Sequence, residues 1–355
     1  MNARSAAVLV ILLVVLGGGA LLIRQQAGSQ KPPEADTLGQ PLLKGLQASQ
    51  VAAIAIRQPK ETLTIERKGE RWSIAERGGF AADFDRVRDF VLKAIALKIA
   101  QSEPVGDKDR ARLNLDASGT TVDFLGADGK PLARLVAGRK YFKAEPENPD
   151  KAAGDGRYIA LPGDEKRVFV ISDPLAQATA KTADWVSRAG FAAEKVKALE
   201  VRAAEGGGWK IERSGDNADW KLAAAGGAEK LEAGKANAAS YSLSSVELAD
   251  VAPKDAKPED TGLAKPTVVT ATTFDGLTYT LRIGKLEGDN YYASVAVAGE
   301  PRPQGKDAEE RLKKINERLP REKALDGYTL LVPKAKLEDL LKKRADLLAK
   351  KDGKK

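Results

Sequence analysis

From about residue 50 onward the chain is built of short runs in which apolar and polar positions alternate, separated by turn residues, the pattern of half-buried strands. Val51–Ile56 (VAAIAI) opens as an apolar strand, and Thr62–Arg67 (TLTIER) and Arg71–Ala75 (RWSIA) come next around a turn. The period then changes. Phe84, Val87, Val91 and Ile95 recur at helical spacing, which predicts an amphipathic helix with Asp83 placed to cap its start. Beyond an extended loop closed by Leu115, the runs Thr121–Leu125 and Leu132–Val136 flank Asp128-Gly129. That is a hairpin signal, because glycine takes the positive φ of a tight turn without steric cost. Strands at Tyr158–Leu161 and Val168–Ile171 complete the stretch.

The same order of signals then returns. Ile65-Glu66-Arg67 recurs as Ile211-Glu212-Arg213 and Gly138 as Gly284, both 146 positions on, while Trp72 recurs as Trp220 at 148. The second series runs through Val196–Val201, Trp209–Arg213 and Trp220–Ala223, a weaker helical stretch at 235–246, and Val268–Thr273 and Thr278–Ile283 around Asp275-Gly276. It ends in Tyr291–Val297 and Tyr328–Val332, with an extra charged helical segment at Asp307–Leu319. The expectation is an α+β fold: a tandem duplication of a β-rich unit with one main helix per repeat, over residues 49–190 and 191–334. A basic amphipathic helix and tail, 335–355, comes last, its stripe made by Leu337, Leu340, Leu341, Leu347 and Leu348.

At the other end, Ala6–Ile23 is an uncharged apolar stretch between Arg4 and Arg24. At 1.5 Å per residue it extends roughly 27 Å, close to the thickness of a bilayer core. The expectation is an N-terminal transmembrane helix, a signal anchor over 1–24, then a linker over 25–48 rich in Gln, Pro, Gly and Ala. A cleaved secretory signal is the alternative, but Arg24-Gln25-Gln26 offers no small-x-small site. This reading places the protein in a bacterial inner membrane by a single pass, with the bulk of the chain in the periplasm.

Charge and composition narrow the function. The 355 residues include 58 Lys or Arg and 50 Asp or Glu, a net +8. Nine basic and four acidic residues lie between Lys334 and Lys355, so the rest of the chain carries only +3. A nearly neutral body with mixed signs does not track phosphates, and no nucleic-acid partner is expected. There is no Cys and no His, which excludes disulfides, thiolate nucleophiles, Ser-His-Asp triads and Cys or His metal sites. Neither a G-x-S-x-G elbow nor a phosphate-cradling glycine loop is present. Asp260-Thr261-Gly262 matches the aspartic-protease tripeptide, but the first series has Arg112–Asp116 (RLNLD) at the equivalent place and supplies no partner. The chain is expected to be no enzyme and to use no cofactor.

Two groups of residues are candidate contacts. Adjacent side chains on a strand point to opposite faces, so Tyr141-Phe142 and Tyr291-Tyr292 cannot each be wholly in one core. They mark either a surface contact or a packing face between repeats. Trp72 and Trp220 read as core, and Glu66-Arg67 and Glu212-Arg213 as solvated cross-strand charges. Lys342, Lys343, Arg344, Lys350 and Lys351 flank the C-terminal Leu stripe, giving either a helix docked on the domain or a contact with anionic lipid headgroups.

The V-A-x-I-x-I opening strand, the L-T-I-E-R-x-G-x-x-W-x-I run, the helix near a Phe-x-x-V and Ala183-Asp184-Trp185 resemble bacterial proteins of the "domain of unknown function 4340" family over roughly residues 50–340. Such proteins often accompany gliding-motility-type ABC transporter subunits, and the resemblance implies no active site. The function expected is thus a membrane-anchored extracytoplasmic accessory or interaction module, with other envelope proteins such as transporter subunits as its partners. A periplasmic binding module for cell-wall glycan or another polymer is the alternative, and a carboxylate-based hydrolase the third reading.

Overall fold

The structure is a computed structural model that describes residues 37–227 and 229–349. The described residues divide into two compact units: one of 37–62 together with 89–180, the other of 63–88 together with those from 181 to 349.

In the first unit, β1 (Ala53–Arg57), β6 (Thr120–Leu125), β7 (Pro131–Tyr141), β8 (Gly156–Ala160), β9 (Arg167–Ile171) and β5 (Ile99–Pro104) lie side by side in that order. Every neighbour pair is antiparallel. Ile54, Ile56, Val122, Phe124, Leu135 and Ile159 are its buried centre. The helix α1 (Phe84–Ala96) ends in this unit, and its Phe90 stacks on Phe124 with ring centroids 5.8 Å apart. A one-and-a-half-turn helix, α2 (Asp107–Arg112), leads into the loop that Leu115 closes.

The second unit contains the short antiparallel ribbon of β2 (Thr62–Lys68), β3 (Arg71–Ile74) and β4 (Phe80–Ala81). It also holds the two-stranded pair β10 (Ala189–Phe191) and β14 (Val246–Glu247). Its main sheet has β13 (Lys221–Leu222) and β12 (Gly208–Glu212) at one edge, and beyond them β11 (Val196–Arg202), β16 (Thr267–Thr273), β17 (Leu277–Glu287), β18 (Asn290–Gly299), β19 (Leu330–Pro333) and β15 (Asp250–Val251). The run from β11 to β15 thus has the same order as the run from β1 to β5 in the first unit. Burial keeps the strand period: Leu199 and Val201, Val269 and Ala271, Tyr279, Leu281 and Ile283, Ala293 and Val295 all point to one covered face.

The expected α+β class is overturned, because the fold is mostly antiparallel sheet with few helices. The reason lies in the sequence of the helical segments. In the second series α3 (Ala233–Tyr241, AGKANAASY) is short, built of small residues, and buries only Ala236, Ala239 and Ser240. The longest helix among the described residues, α5 (Ala308–Lys323), is the extra charged segment and lies in the chain between β18 and β19. The one-turn α4 (Pro258–Thr261) ends at Gly262, which adopts φ +74°.

The expected C-terminal helix is also corrected. After the single turn α6 (Lys334–Leu337) the chain continues in turns as far as Leu341 and is extended at Lys343 (φ −73°, ψ 156°), and the Lys342 carbonyl accepts the Trp209 indole N–H at 2.8 Å. A separate 3-10 turn, Arg344–Leu347, comes next, and Leu348 bridges antiparallel to Leu231. Leu337, Leu340 and Leu347 are buried from separate turns. The transmembrane helix read at Ala6–Ile23 lies outside the described residues; among the described residues no helix is long and apolar enough to cross a membrane, and the anchor is not carried forward.

Candidate functional site

Apart from α5, which the second run inserts between β18 and β19, the two matching runs of strands differ in the link after β7. In the second unit β17 passes to β18 through the tight turn Gly288-Asp289, whereas in the first unit β7 and β8 are joined by the long connection 142–155. Loops set on a rigid sheet are where binding residues concentrate. This one encloses a cleft of about 470 Å³.

The connection has its own internal order. Lys140 on β7 donates to the carbonyls of Ala152 at 2.8 Å, Asp150 at 2.9 Å and Pro149 at 3.4 Å, which uses all three ammonium hydrogens. At its base the Asp155 N–H donates to the Tyr141 carbonyl, and the Lys143 N–H to the Asp155 carboxylate, each at 2.9 Å. Lys140 lines the cleft but is committed to holding the loop.

The floor comes from Tyr158 on β8 and Leu113, both packed on the buried group Leu115, Ala160 and Val168. The turn after α2 lies tightly on β7. Asn114 takes φ +54°, a left-handed conformation that asparagine tolerates, and Gly138 lets the Leu113 carbonyl approach so closely that a Cβ there would sit 2.2 Å from it. That close approach carries Arg112 and Asn114 to the cleft wall.

Two guanidinium groups line the cleft. Arg112 pairs at 3.3 Å with Asp109 on its own helix, both being exposed. Arg139 is exposed, and among the described residues its guanidinium has no hydrogen-bond or ion-pair partner. Both cations act on the Tyr158 phenol: burial, then Glu103 and Tyr141, push its pKa up, and Arg112 and Arg139 pull against that rise. The opposite lining, from the connection itself, supplies Phe142 and the exposed carboxylates Glu145 and Asp150.

The candidate aromatics fall in different places. Phe142 lines the cleft, while Tyr141 stands edge-on to Tyr158 at 5.6 Å and accepts a hydrogen bond from Gln101 at 3.2 Å. Tyr291 and Tyr292 lie on β18 of the second unit, opposite Val332 and Leu331. Burial and the nearby Glu287 raise the Tyr292 pKa. Sequence reasoning missed Arg112, Arg139 and Tyr158; the unequal spacing between the strands around Gly138 and around Gly284 was the signal that could have found them.

Among the basic C-terminal candidates, Lys342 is hydrogen-bonded to Asp339, which raises its pKa. Arg344 forks onto Glu229, at 3.1 and 2.7 Å, and donates to the carbonyls of Ala223 and Ala224. That contact, aided by the Gly226 N–H, holds the Glu229 carboxyl down to about 2. Lys343 supplies the backbone N–H that Asp346 accepts. Lys350 and Lys351 lie outside the described residues.

Among the described residues the buried carboxylates are engaged within the fold. Asp123 is held by Arg57 and Arg134, Asp275 by Arg311, and Glu322 by Tyr279 and Arg318. Asp260 is exposed on α4, and the Thr261 hydroxyl donates back to the Lys257 carbonyl, so the Asp-Thr-Gly tripeptide forms a helix end.

No curated protein and no solved structure matches the chain. The family model described as "Domain of unknown function (DUF4340)" does match, over residues 72–266 and so over more than half of the chain, and the protein belongs to that family.

Proposed function

We propose that the protein is an interaction module of the bacterial cell envelope, an accessory that works beside an ABC-type transporter and holds a ligand or partner segment in the cleft of its first unit. The observation that carries this reading is the long connection 142–155, present after β7 and absent after the matching β17. A sheet order used twice, with an ordered loop and a cleft added to one of them, suits a platform that presents a binding surface. The transporter enters through the association that the family resemblance implies.

The test is photocrosslinking in a native host from an unnatural amino acid at Glu145, with the same label at Glu205 in the β11–β12 turn as control. The reading expects transporter subunits or other envelope proteins to be captured from position 145 and not from 205. Equal capture from both positions, or none from 145, refutes it.

A second reading has one observation in its favour. Glu145 and Asp150 line the same cleft, as a carboxylate-based hydrolase requires. Both are exposed, whereas such enzymes set their general acid in a buried, apolar place. Turnover of a saccharide that disappears in both Glu145→Gln and Asp150→Asn would favour this reading over a holding role.

A further inference from the structure

The chemistry of the cleft specifies more than a generic surface, and the choice of ligand class rests on the reading of that cleft as the binding site. Arg112 and Arg139 present ten N–H donors in planar forks suited to an oxyanion, with the Tyr158 hydroxyl beside them. Arg139 has its whole fork available among the described residues, and the Asp109 contact of Arg112 is an exposed pair that a better acceptor can replace. The other lining does not continue this charge. Glu145 and Asp150 are acceptors only and oppose a second anionic group close by, which disfavours a dense polyanion such as a nucleic acid or polyphosphate. They suit hydroxyl or amine donors. Phe142, half-buried between these polar groups, offers an apolar face to a ring.

One ligand class satisfies all of these at once. We infer that the cleft between α2, β7 and the 142–155 connection recognises a carboxylated saccharide, its carboxylate on Arg112 and Arg139, its ring hydroxyls on Glu145 and Asp150, and its apolar ring face on Phe142. Lys140 takes no part in the contact and acts as a positioning residue, because its three hydrogens hold the loop that carries Glu145 and Asp150.

The experiment is calorimetric titration of the full chain with methyl glucuronide, which carries a single carboxylate, with methyl glucoside as the uncharged counterpart and inorganic phosphate and polyphosphate as anions without a sugar ring. Methyl glucuronide is expected to bind, with methyl glucoside weaker by about tenfold or more, since each charge-assisted contact is worth that much. Arg139→Ala and Arg112→Ala are each expected to weaken it to a similar extent, and Arg202→Ala on β11 to leave it unchanged. Arg139→Ala removes no side-chain partner among the described residues, so loss of binding in it is not loss of structure; circular dichroism of the variant checks this. No binding of methyl glucuronide, equal binding of methyl glucoside, phosphate or polyphosphate, or full affinity in Arg139→Ala overturns the inference. Crosslinking at position 145 can still succeed in that event, so failure of this ligand and failure of the interaction role are separately visible. Chromatography of the recovered glycoside, expected intact, separates recognition from hydrolysis.

Discussion

Replacing Gly138 by Ala probes the contact that forms the cleft wall. A Cβ at that position would lie 2.2 Å from the Leu113 carbonyl oxygen, 2.7 Å from the Leu115 Cδ2 and 3.2 Å from its Cγ. Ordinary contacts begin near 3.4 Å, so the Leu113 backbone has to retreat by about 1 Å, and it is not free to do so. Its carbonyl accepts the Arg139 N–H at 2.9 Å, and Leu115, 1% exposed, is locked against Ala160 and Val168. Overpacking of this kind costs about 1–3 kcal/mol, and the strained hydrogen bond adds about 1 kcal/mol. A total of about 2–4 kcal/mol is expected in the first unit. Gly215 serves as the control, because nothing lies within 4 Å of a Cβ there and its φ is not positive; Gly215→Ala should stay within about 0.5 kcal/mol of the parent. All four Trp residues, 72, 185, 209 and 220, belong to the second unit, so tryptophan fluorescence does not follow the first. Urea denaturation has to be read by far-UV circular dichroism, with hydrogen exchange in the 131–141 peptide to localise the effect. If Gly138→Ala unfolds at the same urea concentration as Gly215→Ala, with unchanged exchange along β7, the packing argument for this turn is refuted.

Other perturbations have equally defined outcomes. Lys140→Ala should release the connection 142–155, read as faster tryptic cleavage after the exposed Lys143 and Lys151 with little change elsewhere. Asp250→Ala should destabilise the second unit by about 2–3 kcal/mol in tryptophan-detected denaturation, since it strands Arg77, whose guanidinium forks onto Asp250 and reaches Thr182 and which is only 16% exposed. Tyr279→Phe should cost about 1–2 kcal/mol by the same assay, because the Tyr279 hydroxyl donates at 2.8 Å to the buried Glu322 carboxylate. For Glu229 the folded pKa is depressed from 4.5 to about 2, so the stability it contributes is present above pH 4.5 and is lost as pH falls toward 2. Glu229→Gln should flatten that acid limb, measured as the pH dependence of the unfolding midpoint, and an unchanged acid limb would count against the Arg344 contact.

The sequence landmarks have separate physical causes. Ile-Glu-Arg and the Trp beyond it recur because the arginine of each triplet lies over the indole, Arg67 at 5.8 Å from the Trp72 ring and Arg213 at 4.7 Å from that of Trp220. Reading those arginines as solvated charges missed half of what they do. Gly138 and Gly284 recur because a loop carbonyl rests on each: a Cβ at Gly284 would sit 2.1 Å from the Thr261 oxygen, as one at Gly138 would sit 2.2 Å from that of Leu113. The position before the closing Leu is left-handed in both, Asn114 at φ +54° and Gly262 at +74°. Most strands were legible because period-2 burial leaves a direct trace, as in Tyr279, Leu281 and Ile283. The strand β5 was not, because its pattern puts only Ile99 and Ser102 inside, and the C-terminal helix was misread because a Leu stripe records burial without recording which backbone carries it.

The candidate site was the least legible part for a reason of the same kind. Repetition in a chain marks what packing demands of every copy, and here it marked strands, close glycines and stacked Trp residues. The cleft lies where the repetition stops. At the positions equivalent to Arg112, Arg139 and Tyr158 the second unit has Asp260, Lys285 and Tyr292; only the tyrosine keeps its type, and its pKa answers to burial and Glu287. The second unit closes the same hairpin in the two residues Gly288-Asp289, and a fold that can do so has no structural need of the connection 142–155. A segment that the architecture does not require, yet which is tied down by three carbonyl contacts to one ammonium group and walled by two arginines, is better accounted for by what it holds than by what it supports.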